Sequence, residues 1–289
     1  MLTLQAPAKL NLTLEVLTKR QDGFHEIRSV IQTINLCDSL RFQLSRNMTF
    51  SSNESNWIPE ESLVSKAASL LQEVTGCSKG ATIEVSKRIP LLSGLGGDSS
   101  DAAATLRGLN KLWGLGLSQD KLLELATRLG SDVAFFLYGG TALVEGRGEI
   151  VTSLPPVSPM RVVLLLPPMP RISEKTKRLY ANVEVGHYTV GQITDRLVTW
   201  LTGGREIVSS MLFNVFDDVA RDSFTWLKQY WEQFLKAGAL EVHLAGSGPT
   251  LFTIMEDRAQ VEKIYRHLQE QRLESYLLET TSAIDSVAG

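Results

Sequence analysis

Residues 90–104 read Pro90-Leu91-Leu92-Ser93-Gly94-Leu95-Gly96-Gly97-Asp98-Ser99-Ser100-Asp101-Ala102-Ala103-Ala104. Glycines let the main chain approach a ligand closely and adopt positive φ. In the run that follows, Ala102, Ala103, Leu106, Leu109 and Trp113 share one helical stripe, so the glycines open into the first turn of a helix. Such a turn offers unpaired N–H groups and the positive end of a helix dipole, which together favour an anion. The serine hydroxyls add donors for a phosphate or an oxygen for Mg²⁺. The same letters also fit a plain turn capped by serine. Among phosphate loops, the Walker A pattern is absent, and the G-x-G-x-x-G fingerprint fails because residue 99 is serine. A dinucleotide-binding Rossmann unit and a eukaryotic protein-kinase loop are both disfavoured.

Outward from this loop, strand and helix patterns interleave. On its N-terminal side Leu10, Leu12, Leu14 and Val16 alternate with Lys9, Asn11, Thr13 and Glu15. That is the period of a half-buried strand whose polar face meets either solvent or a ligand. A turn at Gln21-Asp22-Gly23 follows, then strand-like stretches at 28–36 and 39–44. Leu63, Ala67, Leu70, Leu71 and Val74 mark a helix that stops at Gly76, and a short strand at 82–85 leads to Pro90. On the C-terminal side, a stripe of Leu122, Leu125, Ala126 and Leu129 opens at Ser118 and stops at Gly130, before a strand at 140–144. The cluster Pro155-Pro156-Val157-Ser158-Pro159 is the best domain boundary, giving expected domains of 1–155 and 156–289. Beyond it come a buried-type strand at 161–166, the run Pro167-Pro168-Met169-Pro170, and amphipathic helices between about 173 and 236. Strands at 241–244 and 250–255, joined by Ala245-Gly246-Ser247-Gly248-Pro249, precede a helix near 257–270 and a strand near 275–280. Helices interleaved with antiparallel hairpin signals predict an α+β fold with two layers per domain.

The 289 residues exceed one domain of roughly 100–200, so two domains are expected. With 29 Lys+Arg against 32 Asp+Glu the net charge is −3, which argues against a chain built to coat nucleic acid or an anionic membrane. It does not weigh against a small anionic ligand, which needs only a local site. Cys37 and Cys77 form neither a disulfide framework nor a metal-ligand cluster. The N-terminal segment alternates and carries Lys9, unlike a signal peptide, and the longest apolar run, 162–166, falls far short of a span of ~20 residues. A cytoplasmic protein with neither nucleic-acid nor membrane partner is expected; the sequence is silent on oligomeric state.

The loop at 90–104 resembles the P-x-x-x-G-L-G-[GS]-S-[SA]-A loop of the GHMP small-molecule kinases, and Pro7-Ala8-Lys9-Leu10-Asn11-Leu12 and Ala245–Pro249 fit the same superfamily. Asp22-Gly23-Phe24-His25, Leu129-Gly130-Ser131-Asp132-Val133, Gly139-Gly140-Thr141-Ala142-Leu143 and Glu145-Gly146-Arg147-Gly148-Glu149 resemble one branch of it. The acceptor of that branch is a cytidine diphosphate-linked methylerythritol of the non-mevalonate isoprenoid route. The likeness runs from residue 6 to about 255, and several motifs in order are much harder to obtain by chance than one glycine loop.

The resemblance implies a ribosomal-protein-S5-like N-terminal domain, a ferredoxin-like C-terminal domain and an active site in the cleft between them. It implies ATP and Mg²⁺, and phosphorylation of the acceptor's 2-hydroxyl. Residue by residue, the family's catalytic pair falls on Lys9 and Asp132. Transfer to an alcohol needs the hydroxyl aligned with the γ-phosphorus and its proton removed; Asp132 would accept that proton and Lys9 would hold the hydroxyl and offset charge. ATP would lie over Pro90, Leu91, Leu92, Ser93, Gly94, Leu95, Gly96, Gly97, Asp98, Ser99 and Ser100. Asn11 would bind the acceptor, Phe24 would stack on its base, and His25 would hydrogen-bond it. Tyr180, in Thr176-Lys177-Arg178-Leu179-Tyr180, would be the opposite wall. Gly246-Ser247-Gly248 would bring N–H groups to the phosphates, and no protein ligand for the metal is implied. Without the family, Asp132 reads as the cap of a short helix, Lys9 as a solvated strand lysine and His25 as a surface residue. Two positions depart from the family pattern: Asp98 stands where a small uncharged residue is usual, with an outward orientation expected, and Ser62 stands where Asn is usual. The alternatives are a GHMP kinase for a mevalonate-type, homoserine or sugar acceptor, and a non-catalytic nucleotide- or RNA-binding protein, which the net charge of −3 disfavours.

Overall fold

The computed structural model describes residues 1–168 and 175–282. Its spine is a pair of long antiparallel strands, β1 (Leu2–Lys19) and β2 (His25–Ser45), joined by the turn at 21–24. Next come β3 (Thr49–Ser52), α1 (Leu63–Thr75), β4 (Gly80–Ser86), α2 (Gly97–Trp113), α3 (Gln119–Leu129), α4 (Phe135–Tyr138), β5 (Thr141–Gly146) and β6 (Ile150–Ser153). The chain continues with β7 (Arg161–Leu165), α5 (Lys175–Ala181), α6 (Gln192–Thr202), β8 (Phe213–Asn214), α7 (Phe216–Ser223), α8 (Lys228–Ala237), β9 (His243–Leu244), β10 (Leu251–Met255), α9 (Arg258–Glu270) and β11 (Ser275–Glu279). One sheet of seven strands runs β3-β4-β2-β1-β8, with β5 also on β2 and β6 on β5; the other is antiparallel with four strands in the order β11-β7-β10-β9. The fold is α+β with two sheets.

The local signals explain most element ends. Ser62 caps α1 by accepting from the Ser65 N–H, Ser118 does the same for α3 through Lys121, and Asp257 caps α9. Gly76 ends α1 with φ of 65°. Two expectations need correction. The stretches at 28–36 and 39–44 are parts of one strand, β2, because a register slip opposite Pro7/Ala8 lets it bend without breaking. The strand expected at 241–244 shrinks to His243–Leu244. The short strands β6 and β8 gave no clear sequence signal. Of the Pro167–Pro170 run, residues 169 and 170 lie outside the described residues, as does the expected helix start near 173.

The polar face of β1 is not solvated. Lys9, Asn11, Thr13 and Glu15 are as buried as the leucines between them. Simple alternation fails because register slips at Pro7/Ala8, Asn11/Thr13 and Val16/Thr18 re-aim the side chains. Leu4 and Ala6 therefore join a core beneath α1–α4, whereas Ala8, Leu10 and Leu12 pack with Val162, Leu164 and Phe252 of the second sheet. Leu14 and Val16 join a third core with α7, α8 and α9. Beyond the second slip, Glu15 accepts the Thr194 N–H at 2.7 Å and so satisfies the first turn of α6. One strand thus ties both layers together, leaving Lys9 and Asn11 at the junction. Among the described residues no helix is long and apolar enough to cross a membrane.

Candidate active site

The glycine loop is fastened to β1 by its main chain: the Lys9 N–H donates to the Leu95 carbonyl at 2.9 Å. Gly96, at φ of 76°, is the N-cap of α2, and a Cβ there would meet the Phe136 ring at 2.8 Å. At Gly94 a Cβ would stand 2.1 Å from the Ala245 carbonyl of the second glycine loop. Only glycine lets the two loops touch there. The Asn214 side chain fixes the second loop, donating to the carbonyls of Leu244 at 2.9 Å and Gly246 at 2.8 Å.

These loops border a cavity of about 890 Å³, within the range of small-molecule sites. Lys9, Asn11, Asp132, Phe24, His25 and Tyr180 all line it, with Gly94, Gly96, Gly246 and Ser247. At one end, Lys9 Nζ donates to Asn11 Oδ1 at 2.7 Å and lies 3.6 Å from Asp132 Oδ2. Asn11 Nδ2 in turn donates to Ser29 Oγ at 2.8 Å, which fixes the amide so that its oxygen faces the lysine. Asp132 sits in the 3-10 turn Ser131–Val133 and does not cap α4, whose N-cap residue Ala134 offers no side chain for that purpose.

At the other end, Phe24 is 53% exposed, with the Arg147 guanidinium 5.0 Å above its ring. The Asp22 carboxylate shapes this turn by accepting the Phe24 N–H at 3.1 Å. The His25 ring lies stacked on Tyr180, centroids 5.0 Å apart, and Phe216 meets Tyr180 edge-on at 4.8 Å. Burial, with a smaller contribution from Lys19, lowers the His25 pKa, so the ring is neutral at pH 7. Burial and the Asp132 charge push the Tyr180 hydroxyl well above its ordinary value, keeping it protonated.

The rest of the loop 90–100 divides by orientation. Of the loop residues 90–100, Gly94 and Gly96 are the ones that line the cavity, whereas Leu95 is packed in the core and Ser100 is buried. Pro90, Leu91, Gly97 and Ser99 are partly exposed, Ser93 is buried, and Leu92 is exposed. Asp98 is exposed, and its Oδ1 lies 3.7 Å from Lys87 Nζ. No local sequence signal marks Lys87. It lies beneath the loop with Asp38 at 2.6 Å and Asp101 at 2.8 Å. Asp38 also accepts the main-chain N–H groups of Arg88 and Ile89. Burial alone would lower the Lys87 pKa, but Asp101 and Asp38 hold it well above the usual lysine value. Burial raises Asp101, with Lys87 opposing. Ser62, where the family usually has Asn, is committed to capping α1.

Comparison with known proteins agrees with this geometry. Residues 62–140 match the family described as GHMP kinases N terminal domain, and residues 201–272 match GHMP kinases C terminal. A 4-diphosphocytidyl-2-C-methyl-D-erythritol kinase of Dehalococcoides mccartyi is 49% identical over 285 residues, covering 99% of this chain and 100% of the relative. The kinase of that name from Geobacillus kaustophilus is 38% identical, with 93% of each chain covered. A crystal structure of 4-(cytidine 5'-diphospho)-2C-methyl-D-erythritol kinase superposes with a TM-score of 0.81 at 29% identity, covering 96% of this chain and 99% of that one. Likeness at this identity over nearly the whole length, on a fold that gathers both glycine loops at one cavity, shows that the chain belongs to the 4-diphosphocytidyl-2-C-methyl-D-erythritol kinase family of GHMP kinases.

Proposed function

We propose that this protein transfers the γ-phosphoryl group of ATP to the 2-hydroxyl of 4-diphosphocytidyl-2-C-methyl-D-erythritol, a step of non-mevalonate isoprenoid synthesis in the cytoplasm. The observation that carries this reading is one cavity with Lys9 and Asp132 at one end and Phe24, His25 and Tyr180 at the other. An acceptor with a base at one end and an alcohol at the other fits that polarity; mevalonate or homoserine leaves the aromatic end unused.

The chemistry follows from the placement of groups. Main-chain N–H groups of Gly97, Asp98 and Ser99 at the start of α2 favour the nucleotide's phosphates. Asp132 takes the proton of the acceptor hydroxyl as the new O–P bond forms. Lys9, held by Asn11, orients that hydroxyl and offsets charge on the transferring group. A neutral His25 can both donate to and accept from a pyrimidine edge, while the Phe24 and Tyr180 rings supply stacking area. Among the described residues no group of three His, Cys, Asp or Glu side chains could hold a metal. Mg²⁺ would be held with ATP chiefly through its phosphate oxygens and would offset their charge, and the Ser99 hydroxyl in the first turn of α2 would be a protein oxygen available to it. Residues 1–155 and 156–289 are taken as the two halves of the cleft.

A coupled ADP-release assay with purified protein tests the reading. Turnover is expected with the cytidine-linked acceptor and Mg²⁺-ATP. Turnover with mevalonate or homoserine but not with that acceptor would overturn the acceptor assignment and leave the kinase reading in place.

A further inference from the structure

Three lysines among the described residues are buried: Lys9, Lys87 and Lys175, at 5%, 8% and 8% exposure. A buried ammonium is costly unless charge or hydrogen bonds compensate it. Lys9 has Asn11 and Asp132; Lys87 has Asp38 and Asp101. Among the described residues Lys175 has no carboxylate within ion-pair distance, and its polar contact is a long one, Nζ to the Leu92 carbonyl at 3.5 Å. Burial alone brings its amine down to about 7.

Its position indicates what is missing. Lys175 is the first described residue of α5, and its contact Leu92 belongs to the first glycine loop, at φ of 57° and 71% exposed. The next residue, Thr176, shares a 2.8 Å hydroxyl–hydroxyl hydrogen bond with Ser247 of the second glycine loop. The amine thus sits where both glycine loops meet α5, whose far end carries Tyr180. A buried amine with no counter-charge among the described residues, at the junction of two glycine loops, is completed by an anion.

We propose that Lys175 is a phosphate-binding residue for the polyphosphate tail of ATP, its ammonium leaving the Leu92 carbonyl for a non-bridging phosphate oxygen when nucleotide binds. The proposal rests on the reading of the chain as an ATP-dependent kinase. It assigns the lysine to ATP rather than to the acceptor's diphosphate because the loop it touches is the one that opens into α2. Neighbouring Lys177 and Thr176 line the cavity instead.

Calorimetric titration of wild type, Lys175→Met and Lys175→Arg with the β,γ-imido analogue of ATP, AMP and the cytidine-linked acceptor separates the outcomes. Loss of one charge-assisted contact predicts analogue binding weaker by about 10- to 100-fold in Lys175→Met, with AMP and acceptor changed less than about twofold. Lys175→Arg should recover part of the loss. Unchanged analogue affinity overturns the inference while leaving the kinase reading intact. An equal loss for AMP overturns it in favour of a structural role, and a loss confined to the acceptor overturns the assignment to ATP. A wild-type protein that binds no nucleotide overturns the kinase reading, and this inference with it.

Discussion

Lys9 and Lys87 flank the same glycine loop and are buried to a similar extent, yet their surroundings differ in kind. Lys87 is closed in: Asp38 and Asp101 hold its ammonium at 2.6 and 2.8 Å, and these carboxylates are themselves buried. Lys9 is held by the neutral amide of Asn11 at 2.7 Å and faces a partly exposed carboxylate, Asp132, across 3.6 Å at the cavity wall. A charge sealed by counter-charges supports the scaffold, whereas one held by an amide and open to a cavity can still respond to a substrate. Burial alone does not separate the two; the neighbours do. Lys87 also accounts for Asp98, the unusual carboxylate of the phosphate loop, which gains a cation at 3.7 Å.

Substitutions at the two lysine sites should separate the open one from the closed one. Asp132→Asn removes the proton acceptor from the open site, and kcat should fall by about 10²- to 10⁴-fold. The melting temperature and the affinity for an ATP analogue should stay near wild type; an unchanged kcat removes Asp132 from the chemistry. Lys87→Met opens the closed site and leaves Asp38 buried and uncompensated, with a loss of about 3–5 kcal/mol in urea unfolding. Wild-type stability with a raised KM for ATP would move Lys87 into the working class.

At the far end of the cavity, Tyr180→Ala should raise KM for the cytidine-linked acceptor by about 5- to 100-fold, the range of base–aromatic stacking, with KM for ATP little changed. Tyr180→Phe keeps the ring and should keep the affinity. The smallest effect is one of pH. Because burial lowers the His25 pKa from its ordinary value, the ring is neutral between pH 8 and 7 and gains its proton only at more acidic pH. Acceptor KM should therefore be flat over that range and rise a few-fold below it, and His25→Gln should remove the rise. A KM that climbs between pH 8 and 7 would contradict a neutral His25.

What could be read in the sequence depended on how local each signal is. The loop 90–104, the cap at Ser118 and the stop at Gly76 are written within a few residues, and the structure has them where the letters place them. The bend of β2 and the buried polar face of β1 were not legible, because both follow from register slips against a partner strand. Lys9, Asp132 and the aromatic end came from the family likeness; bare spacing favoured a solvated lysine and a cap. The Lys87 cluster escaped altogether. Its members come from β2, the segment after β4 and α2, which only tertiary pairing brings together. Nothing local marks Lys175 either, since its burial depends on α5 meeting the first glycine loop.

One cavity would hold the pyrimidine and the reacting hydroxyl of the same acceptor at its two ends. A crystal structure with the imido analogue of ATP and 4-diphosphocytidyl-2-C-methyl-D-erythritol tests it directly. The 2-hydroxyl is expected within hydrogen-bond distance of Asp132 and Lys9, and the pyrimidine at Phe24, His25 and Tyr180. A pyrimidine bound elsewhere, or a 2-hydroxyl turned away from Asp132 while both ligands are fully bound, would contradict it.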